Sequence, residues 1–273
     1  MVELFEQDVL TNDRQSSKGN QLKWKNAGNW YKADYVGYEG LAEYMISHLL
    51  QKSALRSEEY VIYEPEQIKY RETIYNGVKS ADFVQSGWQI ITLERLFKSF
   101  SGESLTQVIY RIKEPKERLR FIVNQTERIT GLKDFGTYMN KLLTIDAFFL
   151  NEDRHMHNIA VLMNGEGAFR YCPIFDQGAG LLSDTSIDYP LSGDTVAYIK
   201  EVRAKSFCKD FDEQLDASEE LYGSHLQFCF SKDEGKELLD KADIYPEDAR
   251  KRVEEVILLQ MKKYEYLFSR TSS

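Results

Sequence analysis

The sequence predicts an α+β fold in two lobes, strand-rich over residues 1–95 and mostly helical over residues 96–273. Three observations carry this. In the first third, apolar and polar residues alternate in short runs bounded by turn signals. From about residue 95 the apolar residues fall instead at the i, i+3/i+4 spacing of helices. Aromatic residues make up 13% of the 273-residue chain and occur from end to end, so most of it packs into a core large enough for two lobes. A cleft between two such lobes is a common place for a ligand.

Taken in order, "QLKWKNAGNWYKAD" reads as two short strands joined by a turn at Asn26-Ala27-Gly28-Asn29. "EGLAEYMISHLLQKS" reads as a helix, with Leu41, Met45 and Leu49 on one stripe beside Ala42 and Ile46. "EYVIYEPEQIKYRETIYNGVKSADFV" alternates and carries a turn signal at Asn76-Gly77, so it reads as a hairpin. "SGWQIITLERLF" reads as a further strand leading into a crossover. "RLRFIVNQTERITG" and "KDFGTYMNKLLTIDAFFL" are helical patterns. "IAVLMNGEGAFRYCPIF" reads as a strand, a turn at 164–167 and a second strand. The last helix, "YPEDARKRVEEVILLQMKKYEYLFS", has Pro246 where a first helical position is expected, and an inner face of Val253, Val256, Ile257, Gln260, Tyr264 and Leu267.

Composition narrows the function. Hydrophobic residues are 42% and charged residues 29%, the balance of a globular chain rather than a disordered one. A net charge of -9 makes it a poor candidate for wrapping a nucleic-acid backbone, and any polyphosphate ligand needs a local basic patch. The three cysteines, Cys172, Cys208 and Cys229, form no C-x-x-C pair, which predicts buried reduced thiols and a cytoplasmic protein. The N-terminal "MVELFEQDVLTNDRQ" lacks an apolar h-region, and no window approaches the roughly 18 apolar residues of a membrane span, so neither secretion nor membrane insertion is expected.

The chemistry concentrates in "FFLNEDRHMHNIAVL", residues 148–162, where a polar island separates two apolar runs. The island falls on the loop between a helix and a hairpin, and the hairpin leads to Asp176 in "PIFDQGAGLL". Asp153, Asn158 and Asp176 can therefore gather three oxygen ligands. Phosphoryl transfer needs such a set: one carboxylate to orient and accept the proton of the attacking hydroxyl, and a carboxylate with an amide oxygen to hold Mg²⁺. D-x-x-x-x-N is also the catalytic-loop spacing of protein kinases. Gly178 and Gly180 are expected to let the chain turn sharply after Asp176. Each residue alone has a plainer reading, as a helix cap, a turn or a structural histidine. A zinc site from His155, His157 and Asp176 is the weaker alternative, because two histidines two apart on a loop have no cysteine at ligand spacing.

The joint order of "NEDRHMHNIAVL" and "CPIFDQGAGLL" resembles the catalytic and metal-binding segments of HipA-like kinases, a bacterial branch of the protein-kinase-like superfamily. The D-R-H-x-x-N form also occurs in phosphatidylinositol kinases. "SSKGNQLKW" is similar to the family's phosphate loop, and "WYKADYVGYEGLAEYMISHLL" to its lysine strand and acidic helix. The likeness spans most of residues 16–182.

The resemblance implies a bilobal protein-kinase-like fold, with nucleotide bound by lobe 1–95 and the catalytic loop and metal site in lobe 96–273. It implies Asp153 as catalytic base, His155 as a brace of the site, and Asn158 and Asp176 as Mg²⁺ ligands. Lys32 would contact the α/β-phosphates of ATP. Its helix partner would be Glu43, with Glu39 a rival one turn earlier. Gly19, Asn20, Gln21 and Lys23 would lie over the phosphates. Ser16 and Ser17, at the start of that loop, would be sites of autophosphorylation. The implied activity is transfer of the γ-phosphoryl group of ATP to a Ser/Thr hydroxyl of a protein. A small-molecule or lipid kinase and an inactive nucleotide-binding module are the alternatives. Asp176 is followed by Gln177-Gly178 rather than Phe-Gly. Because the phosphate loop would begin near residue 16, the N-terminal subdomain of the larger HipA toxins is not expected. An antitoxin-like partner therefore has no support in the residues.

Overall fold

A computed structural model describes residues 1–9 and 21–268. The chain divides into two compact units. The first comprises Met1–Asp82, Phe175–Val202 and Gln227–Ser273, the second Phe83–Ile174 and Arg203–Leu226.

In chain order the strands are β1 (Val2–Leu4), β2 (Lys23–Asn26), β3 (Asn29–Ala33), β4 (Glu64–Tyr70), β5 (Thr73–Ala81), β6 (Trp88–Thr92), β7 (Ala160–Asn164) and β8 (Phe169–Tyr171). The helices are α1 (Glu39–Leu50), α2 (Leu93–Ser101), α3 (Leu105–Ile109), α4 (Pro115–Thr130), α5 (Phe135–Phe149), α6 (Thr195–Glu201), α7 (Phe211–Tyr222), α8 (Lys232–Lys241) and α9 (Glu247–Lys263).

The first unit is built on a five-stranded sheet of order β1-β4-β5-β3-β2, antiparallel except for the β1–β4 pair. The turn between β2 and β3 is where the sequence places it. Ala27 and Gly28 both have positive φ, the two-residue turn whose twist matches a hairpin. The second hairpin does not turn at Asn76-Gly77. It turns at Arg71-Glu72, with Arg71 in the left-handed region, and Asn76 and Gly77 lie inside β5. Packing explains the misreading. A Cβ on Gly77 would stand 2.1 Å from the Lys32 carbonyl oxygen, and the Asn76 amide donates to the Ile244 carbonyl at 2.9 Å.

One sheet face carries a core of Leu4, Trp24, Tyr31, Ala33, Ile68 and Tyr70. Strand alternation sends Lys32 to the other face, where α1 packs against β4 and β5. The expected stripe of α1 understates its burial, since every residue from Glu39 to Leu50 except His48 is buried. A helix apolar nearly all round is a core helix, and here α8 packs beside it, with α9 against α8. Pro246 is the residue before α9 rather than its first helical position, and the expected inner face is buried throughout.

The second unit combines the antiparallel sheet β6-β7-β8 with helices α2 to α5 and α7. β6 pairs with β7. Thr92 then caps α2 by accepting from the Arg95 amide at 3.3 Å. The 164–168 turn forms as expected, with Asn164 Oδ1 accepting from the amides of Glu166 and Ala168. α5, α4 and α7 pack on one another. Cys172 and Cys208 are buried free thiols, whereas Cys229, expected to be buried, is exposed. Among the described residues, no helix is long and apolar enough to cross a membrane.

Candidate active site

In the first unit, Lys32 on β3 stands between two carboxylates. Its Nζ is 2.5 Å from Glu43 Oε1 on α1 and 2.7 Å from Asp176 Oδ1. Its ammonium also lies 5.2 Å from the centre of the Tyr63 ring, a cation–π contact. Burial alone would push the Lys32 ammonium down, but Asp176 and Glu43 outweigh it and hold it well above its ordinary range. Burial pushes the Glu43 carboxyl up, and Lys32 opposes it. Glu39 has a different task. Its carboxylate accepts from the amides of Val36 at 2.9 Å, Gly37 at 3.1 Å and Tyr35 at 3.2 Å. It closes the loop that enters α1 and does not meet Lys32.

Side-chain exposure separates the trio: Glu43 is 1% exposed, Lys32 11% and Asp176 24%. Asp176 is thus the member most open to a ligand. It sits in the left-handed region, as do Leu181 and Leu182, a conformation that asparagine and aspartate tolerate better than most residues. The chain turns here as the sequence suggested, with the Gly180 amide donating to Gln177 O at 2.9 Å. Gly178, within that turn, also allows a close approach, because a Cβ there would stand 3.3 Å from that of Glu39. The segment beyond is tied to the entrance of α1: the Tyr38 hydroxyl donates to Leu181 O at 2.7 Å and the Tyr38 amide to Ser183 O at 3.1 Å. Lys23 pairs with Lys32 across the hairpin, and its charge also acts on Glu43. Gln21 stands just before β2. Gly19 and Asn20, with Ser16 and Ser17, lie outside the described residues.

In the second unit, the polar island is held from below by a buried ion pair. α5 ends at Leu150, which is left-handed and returns its amide to Asp146 O. Asp146, one turn earlier, receives Arg154 Nε on Oδ2 at 2.9 Å and Arg154 Nη2 on Oδ1 at 3.1 Å. Asn151 Nδ2 donates to Asp146 Oδ1 at 2.8 Å. Burial pushes the Asp146 carboxyl up and Arg154 opposes it. Arg154 Nη1 also holds the Asn158 carbonyl at 3.0 Å. Asn158 Nδ2 donates to the Asp153 carbonyl at 2.9 Å, which turns the amide oxygen away from that bond. His155 Nε2 is 3.9 Å from Asp153 Oδ2, and Lys205 Nζ is 3.5 Å from Asp153 Oδ1.

Three contributors were not singled out from the sequence. Asp146 has a signal, since a lone acid in the apolar run "KLLTIDAFFL" must be paired once buried. Tyr63 and Lys205 have none, because they arrive through the fold. Asp176 and Asn158 offer the hard oxygen donors that Mg²⁺ takes, and Lys32 offers a cation for phosphate, so the donor chemistry fits both groups. Among the described residues, no group of three or more His, Cys, Asp or Glu side chains is arranged to hold a metal ion.

No protein-family model and no curated protein matches the sequence. Solved structures do match by fold. The proinflammatory kinase CtkA of Helicobacter pylori aligns over 97% of this chain and 96% of its own, with 15% identity and a TM-score of 0.59. A chain of the toxin–antitoxin complex of HipA, HipB and operator DNA from Shewanella oneidensis MR-1 aligns over 95% of this chain and 63% of its own, with 10% identity and a TM-score of 0.39. The chain has the α+β fold of the first of these structures, in keeping with the kinase-like fold that the resemblance implied.

Proposed function

We propose that the protein is a HipA-like kinase that transfers the γ-phosphoryl group of ATP to a Ser/Thr hydroxyl of a protein, with autophosphorylation. The observation that carries this reading is Lys32, held between Glu43 and Asp176. A cation fixed by a helix acid is what a phosphate-binding lysine needs to point at an anionic ligand. The lobe of residues 1–95 binds the nucleotide in this reading, with Lys32 on its phosphates and Gln21 and Lys23 over them. In the lobe of residues 96–273, Asp153 orients the substrate hydroxyl and takes its proton, and His155 braces the loop. Asp176 and Asn158 hold Mg²⁺, which when bound neutralises the charge of the phosphates. Lys32 must release Asp176, at least in part, as this happens.

The test is incubation of the full chain with γ-labelled ATP and Mg²⁺, alone and with candidate acceptors. Label on Ser or Thr of a protein supports the reading. Label only on an added small alcohol or lipid assigns the same fold to a different acceptor. ATP binding without transfer of label makes the chain a nucleotide-binding module.

A further inference from the structure

We propose that Lys205 is a catalytic residue, the cation that contacts the phosphoryl group while Asp153 handles the substrate hydroxyl. The proposal rests on the kinase reading above and names a residue that reading does not use. Lys205 Nζ is 3.5 Å from Asp153 Oδ1. The cation next to Asp153 in the chain, Arg154, is not available for this task. It is buried, and its guanidinium is committed to Asp146 and to the Asn158 carbonyl. Positive charge is delivered to Asp153 from the 203–209 loop instead.

That loop exposes Arg203, Lys205 and Lys209 and is anchored by the residues between them. Ala204, Ser206, Phe207 and Cys208 are buried. Arg118 Nη1 donates to Phe207 O at 2.9 Å, Gln214 Nε2 to Cys208 O at 2.7 Å, and the Ala204 amide to Lys209 O at 3.0 Å. Lys205, between buried Ala204 and buried Ser206, projects with its side chain 43% exposed. An incidental surface ion pair needs no such support.

The chemistry calls for a cation here. The hydroxyl proton passes to an Asp153 carboxylate oxygen, and the hydroxyl oxygen bonds to the γ-phosphorus. The bond from that phosphorus to the β,γ-bridging oxygen breaks, and its electron pair leaves on ADP. An anionic phosphoryl group must therefore approach an anionic carboxylate, a repulsion that only intervening positive charge relieves. A hydroxyl bonded to Asp153 at about 2.7 Å places its reaction partner within reach of a lysine stem.

The experiment compares wild type with Lys205→Met, which keeps the stem, and Lys205→Arg, which keeps the charge. Phosphoryl transfer is measured alongside calorimetric binding of Mg-ADP, with and without aluminium fluoride as a mimic of the phosphoryl group in flight. Lys205→Met is expected to lower kcat by about 10²-fold with the KM for ATP within about threefold. It should weaken Mg-ADP–aluminium fluoride by a similar factor and leave Mg-ADP alone unchanged, and Lys205→Arg should recover much of both losses. A kcat near wild type in Lys205→Met, or equal weakening of both ADP complexes, overturns the proposal while leaving the kinase reading intact. Wild type that neither transfers phosphate nor binds Mg-ADP overturns the reading and the proposal with it.

Discussion

Lys32 Nζ and Glu43 Oε1 lie 2.5 Å apart in the first unit, while Glu39, one turn earlier on the same helix, binds three backbone amides and leaves the lysine alone. The two acids should therefore fail differently. Glu39→Gln is expected to cost about 1–2 kcal/mol of stability, the scale of weakened charge-assisted hydrogen bonds, with little change in turnover per folded molecule. Glu43→Gln frees one side of Lys32 and should lower turnover roughly 10- to 100-fold, the scale of a misplaced binding group. Urea unfolding beside a turnover assay separates them, and the reverse ranking would contradict the assignment.

Asp34 gives the stability a pH dependence. Its Oδ1 accepts from the Gly40 amide at 2.6 Å, and Tyr245 packs against it. Burial, reinforced by the charge of Glu39, pushes its carboxyl up to about 8 from an ordinary 3.8. Between those values the folded state holds a proton that the unfolded state has lost, so stability falls as pH rises through that window and levels off above about 8. Glu43 and Asp146, also raised by burial, slope the same way. Asp34→Asn keeps the acceptor for Gly40 and removes the titration. Denaturant unfolding from pH 5 to 9 should show a shallower slope in Asp34→Asn than in wild type, and equal slopes would refute the account.

The Asp146–Arg154 pair is 1% and 2% exposed. Removing one partner strands a buried charge, so Asp146→Ala is expected to destabilise by about 3–5 kcal/mol. Asp146→Leu combined with Arg154→Met leaves neither charge and should recover much of that loss. Turnover should stay low in the double variant, because Arg154 no longer holds the Asn158 carbonyl. Urea midpoints and kcat on both proteins check this, and full activity in the double variant would show that the pair only stabilises.

What the sequence made legible depended on whether the cause was local. The turn at 26–29 was readable because Ala27 and Gly28 adopt the conformation that the hairpin itself demands. Asn76-Gly77 carries the same signal for another reason, a close approach to Lys32 and a bond to Ile244, and only the assembled unit distinguishes the two. Helical spacing placed Glu39 and Glu43 on one face but could not say which meets Lys32, since that depends on where β3 lies under α1. The motif named Asp153, Asn158 and Asp176 as candidates. It gave neither Asp146 beneath the loop nor Lys205, whose approach to Asp153 depends on the buried residues around it.

The most direct test of the central claim is phosphoryl transfer by Asp153→Asn, measured beside calorimetric ATP titration with and without Mg²⁺. The substitution keeps size and most hydrogen bonding but cannot accept the hydroxyl proton. The account predicts Mg-ATP binding near that of wild type and a kcat lower by roughly 10²-fold or more. Asp176→Asn should instead weaken the Mg²⁺-dependent part of ATP binding, with Asn158→Ala following it more mildly. Full turnover in Asp153→Asn, or the same loss of ATP binding in all three variants, would contradict the account and leave residues 150–159 a structural loop.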